Sequence, residues 1–134
     1  MGRRELREQI FKLLFRVEFN AKEDMPEQEE LFFQEEENTA NEKDEQYIIT
    51  KYEDNASKLE VIDDMINKAA KGWDTTRMGK VDLTLIRLAV YEILYDDEIP
   101  TGVAINEAVE LAKKYGQENS SAFVNGVLAK FAQA

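Results

Sequence analysis

Apolar residues recur along this chain at spacings of three and four, and no strand-type alternation competes with them. Leu6, Ile10, Leu13, Leu14 and Val17 fall at i, i+4, i+7, i+8 and i+11, one stripe of a helix predicted over residues 4–21. Pro26 sits where a second helix begins, a position at which its missing N–H costs nothing, and that helix is expected to reach residue 36. Asn38-Thr39-Ala40-Asn41 reads as a polar loop. Tyr47, Ile48, Ile49 and Tyr52 open a third helix, and Leu59, Val61, Ile62, Met65, Ile66 and Ala69 carry a fourth. Asp54-Asn55-Ala56-Ser57 between them is either a break or a kink, since Asn and Ser cap new helices. Gly72 closes this run, and residues 73–80 read as a connection.

The pattern changes over residues 81–95. Val81, Leu83, Leu85, Ile86, Leu88, Ala89, Val90, Ile93 and Leu94 make this stretch apolar almost all round, so it is expected at the centre of the fold. Asp82 near its start suits the helix dipole. Pro100 then breaks the chain. Ala104, Ala108, Leu111, Ala112 and Tyr115 form the next stripe, closed by Gly116. Asn119 or Ser120 is placed to cap a last helix bearing Phe123, Val124, Val127, Leu128 and Phe131. The reading is an all-α chain of about seven helices in a single compact domain, residues 1–134, with an N-terminal part (1–71) and a C-terminal part (72–134).

Composition narrows the functions this fold is expected to serve. A chain of 134 residues with 43% hydrophobic content is large enough to bury a core without staples. No apolar run approaches the roughly 18 residues of a membrane span, and no secretory signal is visible, so a cytoplasmic protein is expected. Cysteine and histidine are both absent, which removes the best nucleophile, the commonest general base and the commonest metal ligands. With no phosphate-binding loop or nucleophile elbow either, the expectation is a non-enzyme without metal or cofactor.

The net charge of −11 argues against a nucleic-acid partner until it is resolved along the chain. Residues 1–22 hold six basic against three acidic residues, 23–64 hold three against sixteen, and 65–134 hold eight against nine. The acidity belongs to one segment and the N-terminus is locally basic. Glu27, Glu29, Glu30 and Glu35–Glu37 read first as a solvated helix face, and second as a surface that repels RNA and confines it elsewhere.

Arg3, Arg4 and Arg7 begin the first helix, where positive charge opposes the macrodipole by about 0.3–1 kcal/mol per exposed charge. An anionic partner reverses that balance, because guanidinium forks and free N–H groups both suit phosphate. Pairing of Arg4 with Glu8 is the structural alternative. Phe123-Val124-Asn125-Gly126 is open to two readings. Phe123 is either core, with Gly126 permitting close helix packing, or a ring that stacks on an unpaired base. Asn106 and Glu107 read as structural groups of a first helical turn, and Arg87 and Glu92 as ion-pairing partners on the central helix.

Three blocks fall in register: Val81-Asp82-Leu83-Thr84-Leu85-Ile86-Arg87-Leu88-Ala89-Val90-Tyr91-Glu92, then Val103-Ala104-Ile105-Asn106-Glu107-Ala108, then Phe123-Val124-Asn125-Gly126-Val127-Leu128. In order and spacing, with Pro100 between the first two, they resemble the C-terminal half of the NusB family of bacterial transcription antitermination factors. The arginine-bearing first helix fits the same family. The resemblance implies binding of boxA-type single-stranded RNA through Arg3, Arg4 and Arg7, with Phe123 and, less directly, Asn119 and Asn125 on the RNA surface. It implies a protein partner, the ribosomal protein NusE, reached through Phe15 and Asp82, and a place in the antitermination complex with RNA polymerase. Glu5 interrupts the basic cluster, which bears on affinity. Two other readings stand beside this one: the RNA-binding domain of an rRNA cytosine methyltransferase, and a protein-binding helical scaffold. An apolar face left for NusE is also one on which a homodimer would pair.

Overall fold

Seven α-helices and three single turns of 3₁₀ helix, with no strand, make up residues 1–132, those described by a computed structural model of the chain. They are α1 (Arg3–Phe15), α2 (Met25–Gln34), α3 (Glu42–Ser57), α4 (Leu59–Ala69), α5 (Lys80–Tyr95), α6 (Thr101–Tyr115) and α7 (Ser120–Ala129). The all-α expectation holds. The helices cluster into two compact units, Met1–Ala56 and Ser57–Ala134. Helix α4, grouped on sequence with the N-terminal part, clusters with the C-terminal helices because it packs on α5.

In the first unit Ile10, Leu13 and Leu14 of the predicted stripe are buried, the last two almost wholly, while Leu6 and Val17 at its ends are half-buried. The α-helix is shorter than the predicted 4–21. It ends at Phe15, and Arg16–Glu18 continue as a 3₁₀ turn. The Asn20 side chain caps this end by donating to the Arg16 carbonyl at 2.8 Å. Arg16 then fastens α2: it forms an ion pair with Glu35, donates to the Gln28 side chain at 3.3 Å, and lies 5.0 Å from the centroid of Phe32. Helix α3 begins at Glu42, five residues before its first apolar position. Asn41 and Asp44 form a reciprocal cap there, with the Asp44 N–H donating to Asn41 Oδ1 at 2.9 Å and the Asn41 N–H to Asp44 Oδ2 at 3.3 Å. A polar first turn carries no hydrophobic period, which is why the sequence reading started this helix late.

In the second unit α5 is the central helix, as its pattern requires. Leu83–Ile86 and Leu88–Glu92 are all buried, and α4, α6 and α7 each pack against it. Arg87 meets Asp63 of α4 in a two-pronged pair, Nε to Oδ1 at 2.8 Å and Nη2 to Oδ2 at 2.7 Å, as expected of an arginine on an apolar helix. Helix α6 starts directly after Pro100, so Asn106 lies in its second turn and is exposed. It is therefore not a first-turn group satisfying helix-end N–H donors. Gly116 closes α6 for a steric reason: a Cβ there would sit 2.5 Å from the Ser120 side chain and 2.8 Å from the Ala112 carbonyl.

Candidate nucleic-acid interface

Helix α1 presents its N-terminus without a side-chain cap, since Gly2 is extended and has no side chain to offer. Arg3 and Arg4 on that first turn are exposed. Arg7 is not: only 8% of its surface is accessible, and its side chain is engaged within the fold. The three arginines expected to act together therefore separate into an exposed pair and one inward-facing member. The spacing explains it, because Arg7 lies on the side of the helix that turns Ile10 and Leu14 into the core. Glu8 lies 3.9 Å from Lys12 one turn on, so part of the local charge is balanced within α1.

Phe15, expected on the partner-facing surface, is half-buried at the end of α1. It forms the middle of an aromatic ladder. Its ring is 6.0 Å from Phe11, which is buried, and 5.0 Å edge-on from Phe19, which is 59% exposed. Phe19 was not singled out on sequence, because the 3₁₀ turn that carries it breaks the stripe of α1. Asp82, in the second unit, is half-buried in the first turn of α5.

Helix α7 carries the remaining candidates. Asn119 is its N-cap, but its side chain makes no capping bond. The Ser120 hydroxyl instead accepts the Gln117 N–H at 2.8 Å, which closes the α6–α7 turn and leaves the Asn119 amide exposed. Phe123 follows four residues on, its N–H donating to the Asn119 carbonyl at 3.1 Å, so the two share a face. Phe123 is half-buried, neither core nor free, and its ring meets Trp73 edge-on at 5.6 Å. Asn125, two positions on, points to a different side of the helix and is exposed there beside Gly126. A Cβ at Gly126 would touch nothing within 4 Å, so this glycine does not permit close packing of helices in the fold.

Trp73 and Arg77 are the further members that sequence reasoning passed over, as residues of a connection. Trp73 is 51% exposed, and the Arg77 guanidinium lies 5.9 Å from its ring centroid. The signal was present: the one tryptophan of the chain sits between Lys71 and Arg77 in a loop, where an indole has no periodic reason to be. Among the described residues no group of His, Cys, Asp or Glu side chains is arranged to hold a metal, and no helix is long and apolar enough to cross a membrane.

Taken together, these sites offer exposed guanidinium groups, amides and aromatic rings, the groups that hold phosphates and unpaired bases. Comparison with known proteins adds to this. The model of the NusB family matches residues 4–133. A transcription antitermination protein NusB from Agathobacter rectalis is 54% identical over 132 residues, 98% of this chain and 100% of that protein. The structure of T. maritima NusB superposes with a TM-score of 0.86 at 37% identity, covering 99% of this chain and 92% of the other. A chain in the crystal structure of antitermination factors NusB and NusE in complex with dsRNA superposes with a TM-score of 0.84 at 27% identity, covering 98% and 96%.

Proposed function

The chain belongs to the NusB family, and on that premise we propose that it is an RNA-binding adapter of transcription antitermination. It binds boxA-type single-stranded RNA together with NusE and keeps RNA polymerase processive through ribosomal RNA operons. The observation that carries this reading is the likeness, over nearly the whole chain, to a chain in the structure of NusB and NusE in complex with dsRNA.

The chemistry is assembly. Arg3 and Arg4, exposed at an uncapped helix start, hold phosphates, where the orphan N–H groups and the guanidinium forks act in the same direction. Arg7, buried on the same helix, anchors that turn. Asn119 and Phe123 read a base by edge and face, and Asn125 contributes from the neighbouring side of α7. Phe15 and Phe19 offer NusE an aromatic anchor, and Asp82 a carboxylate. No residue is assigned a bond-breaking role, in keeping with relatives named for antitermination.

The test is binding of a boxA-type RNA and a scrambled control, with NusE, across a salt series. Arg3→Ala/Arg4→Ala should weaken boxA binding and make the salt dependence shallower by about 1.4 in slope, at about 0.7 per phosphate contact released. Equal binding of boxA and scrambled RNA would remove the proposal.

A further inference from the structure

We propose that Trp73, flanked by Phe123 and Arg77, is a stacking platform for one unpaired base of the bound RNA. The inference rests on the RNA-binding reading and extends it to a loop that the reading did not need.

Trp73 is held in place from both sides. Its N–H donates to the Ala70 carbonyl at 2.9 Å, closing a turn whose third residue, Gly72, has φ +87°. That left-handed conformation is one that glycine adopts without strain. Beyond the indole, the buried Thr75 donates its N–H to Asn67 Oδ1 at 2.7 Å, and the Arg77 N–H reaches the Asp74 carbonyl at 3.1 Å. Phe123 of α7 supports the ring edge-on, with 69° between the planes. So much anchoring is not needed to bury the indole, since half of its surface stays open. The anchoring fixes where an exposed aromatic ring stands.

The surroundings favour a nucleotide over an apolar protein surface. Residues 71–80 hold Lys71, Arg77 and Lys80 against Asp74 alone, a local excess of positive charge in a chain of net charge −11. The other exposed large apolar residues of this unit, Val61, Leu94, Tyr95 and Val103, lie outside both this loop and α7. An exposed ring with a guanidinium 5.9 Å from its centroid suits a base flanked by phosphates, whereas a protein hot spot is ringed by further apolar area. A base inside a duplex is already stacked on both sides, so this platform selects unpaired RNA.

Trp73 is the only tryptophan, so its emission reports on the site directly. The chain would be titrated with boxA-type single-stranded RNA, following anisotropy of labelled RNA and, in parallel, Trp73 emission with unlabelled RNA. Emission should be quenched over the same concentrations as binding, and not by a duplex of the same sequence. Trp73→Ala should weaken binding about tenfold and Trp73→Phe by less than about threefold, because any aromatic face stacks. Unchanged helical circular dichroism in both variants would exclude misfolding as the cause. RNA that binds without altering the emission, and binds Trp73→Ala as well as wild type, would overturn the platform and leave RNA binding standing. Quenching by NusE and not by RNA would overturn it in favour of a protein interface. No anisotropy change with any RNA, even with saturating NusE present, would remove the underlying reading and the platform with it.

Discussion

Gly116 shows how much a single residue decides here. The turn between α6 and α7 brings Ser120 so close that a methyl group has no room on either side, against Ser120 or against the Ala112 backbone. Gly116→Ala should therefore lower the urea midpoint, by about 1–3 kcal/mol of stability, as overpacking does. Glu29 shows the opposite case, a native residue that costs stability. One of its carboxylate oxygens is shielded and makes no hydrogen bond, and burial, followed by the nearby charge of Glu53, raises its pKa above the ordinary 4.5. Tyr52 answers to the same surroundings: burial first, then Glu29 and Glu53, push its hydroxyl up to about 12. Because the folded chain holds the Glu29 proton more tightly than the unfolded chain, stability falls as pH rises from 4.5 through the raised value. Once the pH has passed that raised value the whole cost is present. Glu29→Gln should then raise the melting temperature at pH 7 by about 1–2 °C, after allowance for solvent screening, and leave it unchanged below pH 4. Melting curves at the two pH values check this.

At the scale of elements, the apolar period placed the helices and missed their polar ends. It gave the central α5 correctly, because seven of its nine buried residues are apolar or aromatic and Arg87, the charge within the run, is paired with Asp63. It missed the polar first turn of α3, ran α1 through the 3₁₀ turn, and set Arg7 beside Arg3 and Arg4 although the helix turns it inward. Candidate site residues were legible where chemistry and period disagreed, as for the exposed Arg3 and Arg4 at a helix start. They were illegible where only three-dimensional contact reveals them, as for Trp73, which meets Phe123 fifty residues further along the chain. The ladder Phe11–Phe15–Phe19 is such a case within one segment. Its outer ring is largely solvent-exposed, so Phe19→Ala should cost less than about 1 kcal/mol of stability. It should nevertheless weaken NusE about tenfold or more, as an aromatic anchor does, which titration calorimetry with purified NusE would measure.

Across the whole molecule, charge is sorted along the chain. Residues 23–64 carry sixteen acidic residues, while the basic groups assigned to RNA lie at the start of α1 and in the 71–80 loop. RNA approaching such a chain is repelled by one segment and attracted by the others, an orientation effect that salt weakens. If NusE and RNA share this adapter and complete one surface, each must sense the other. The direct test is the RNA affinity measured with and without saturating NusE, and the NusE affinity with and without RNA. Each partner should tighten the other by the same factor, about 5- to 150-fold, since binding linkage is reciprocal. Affinities that do not change in either direction would contradict it.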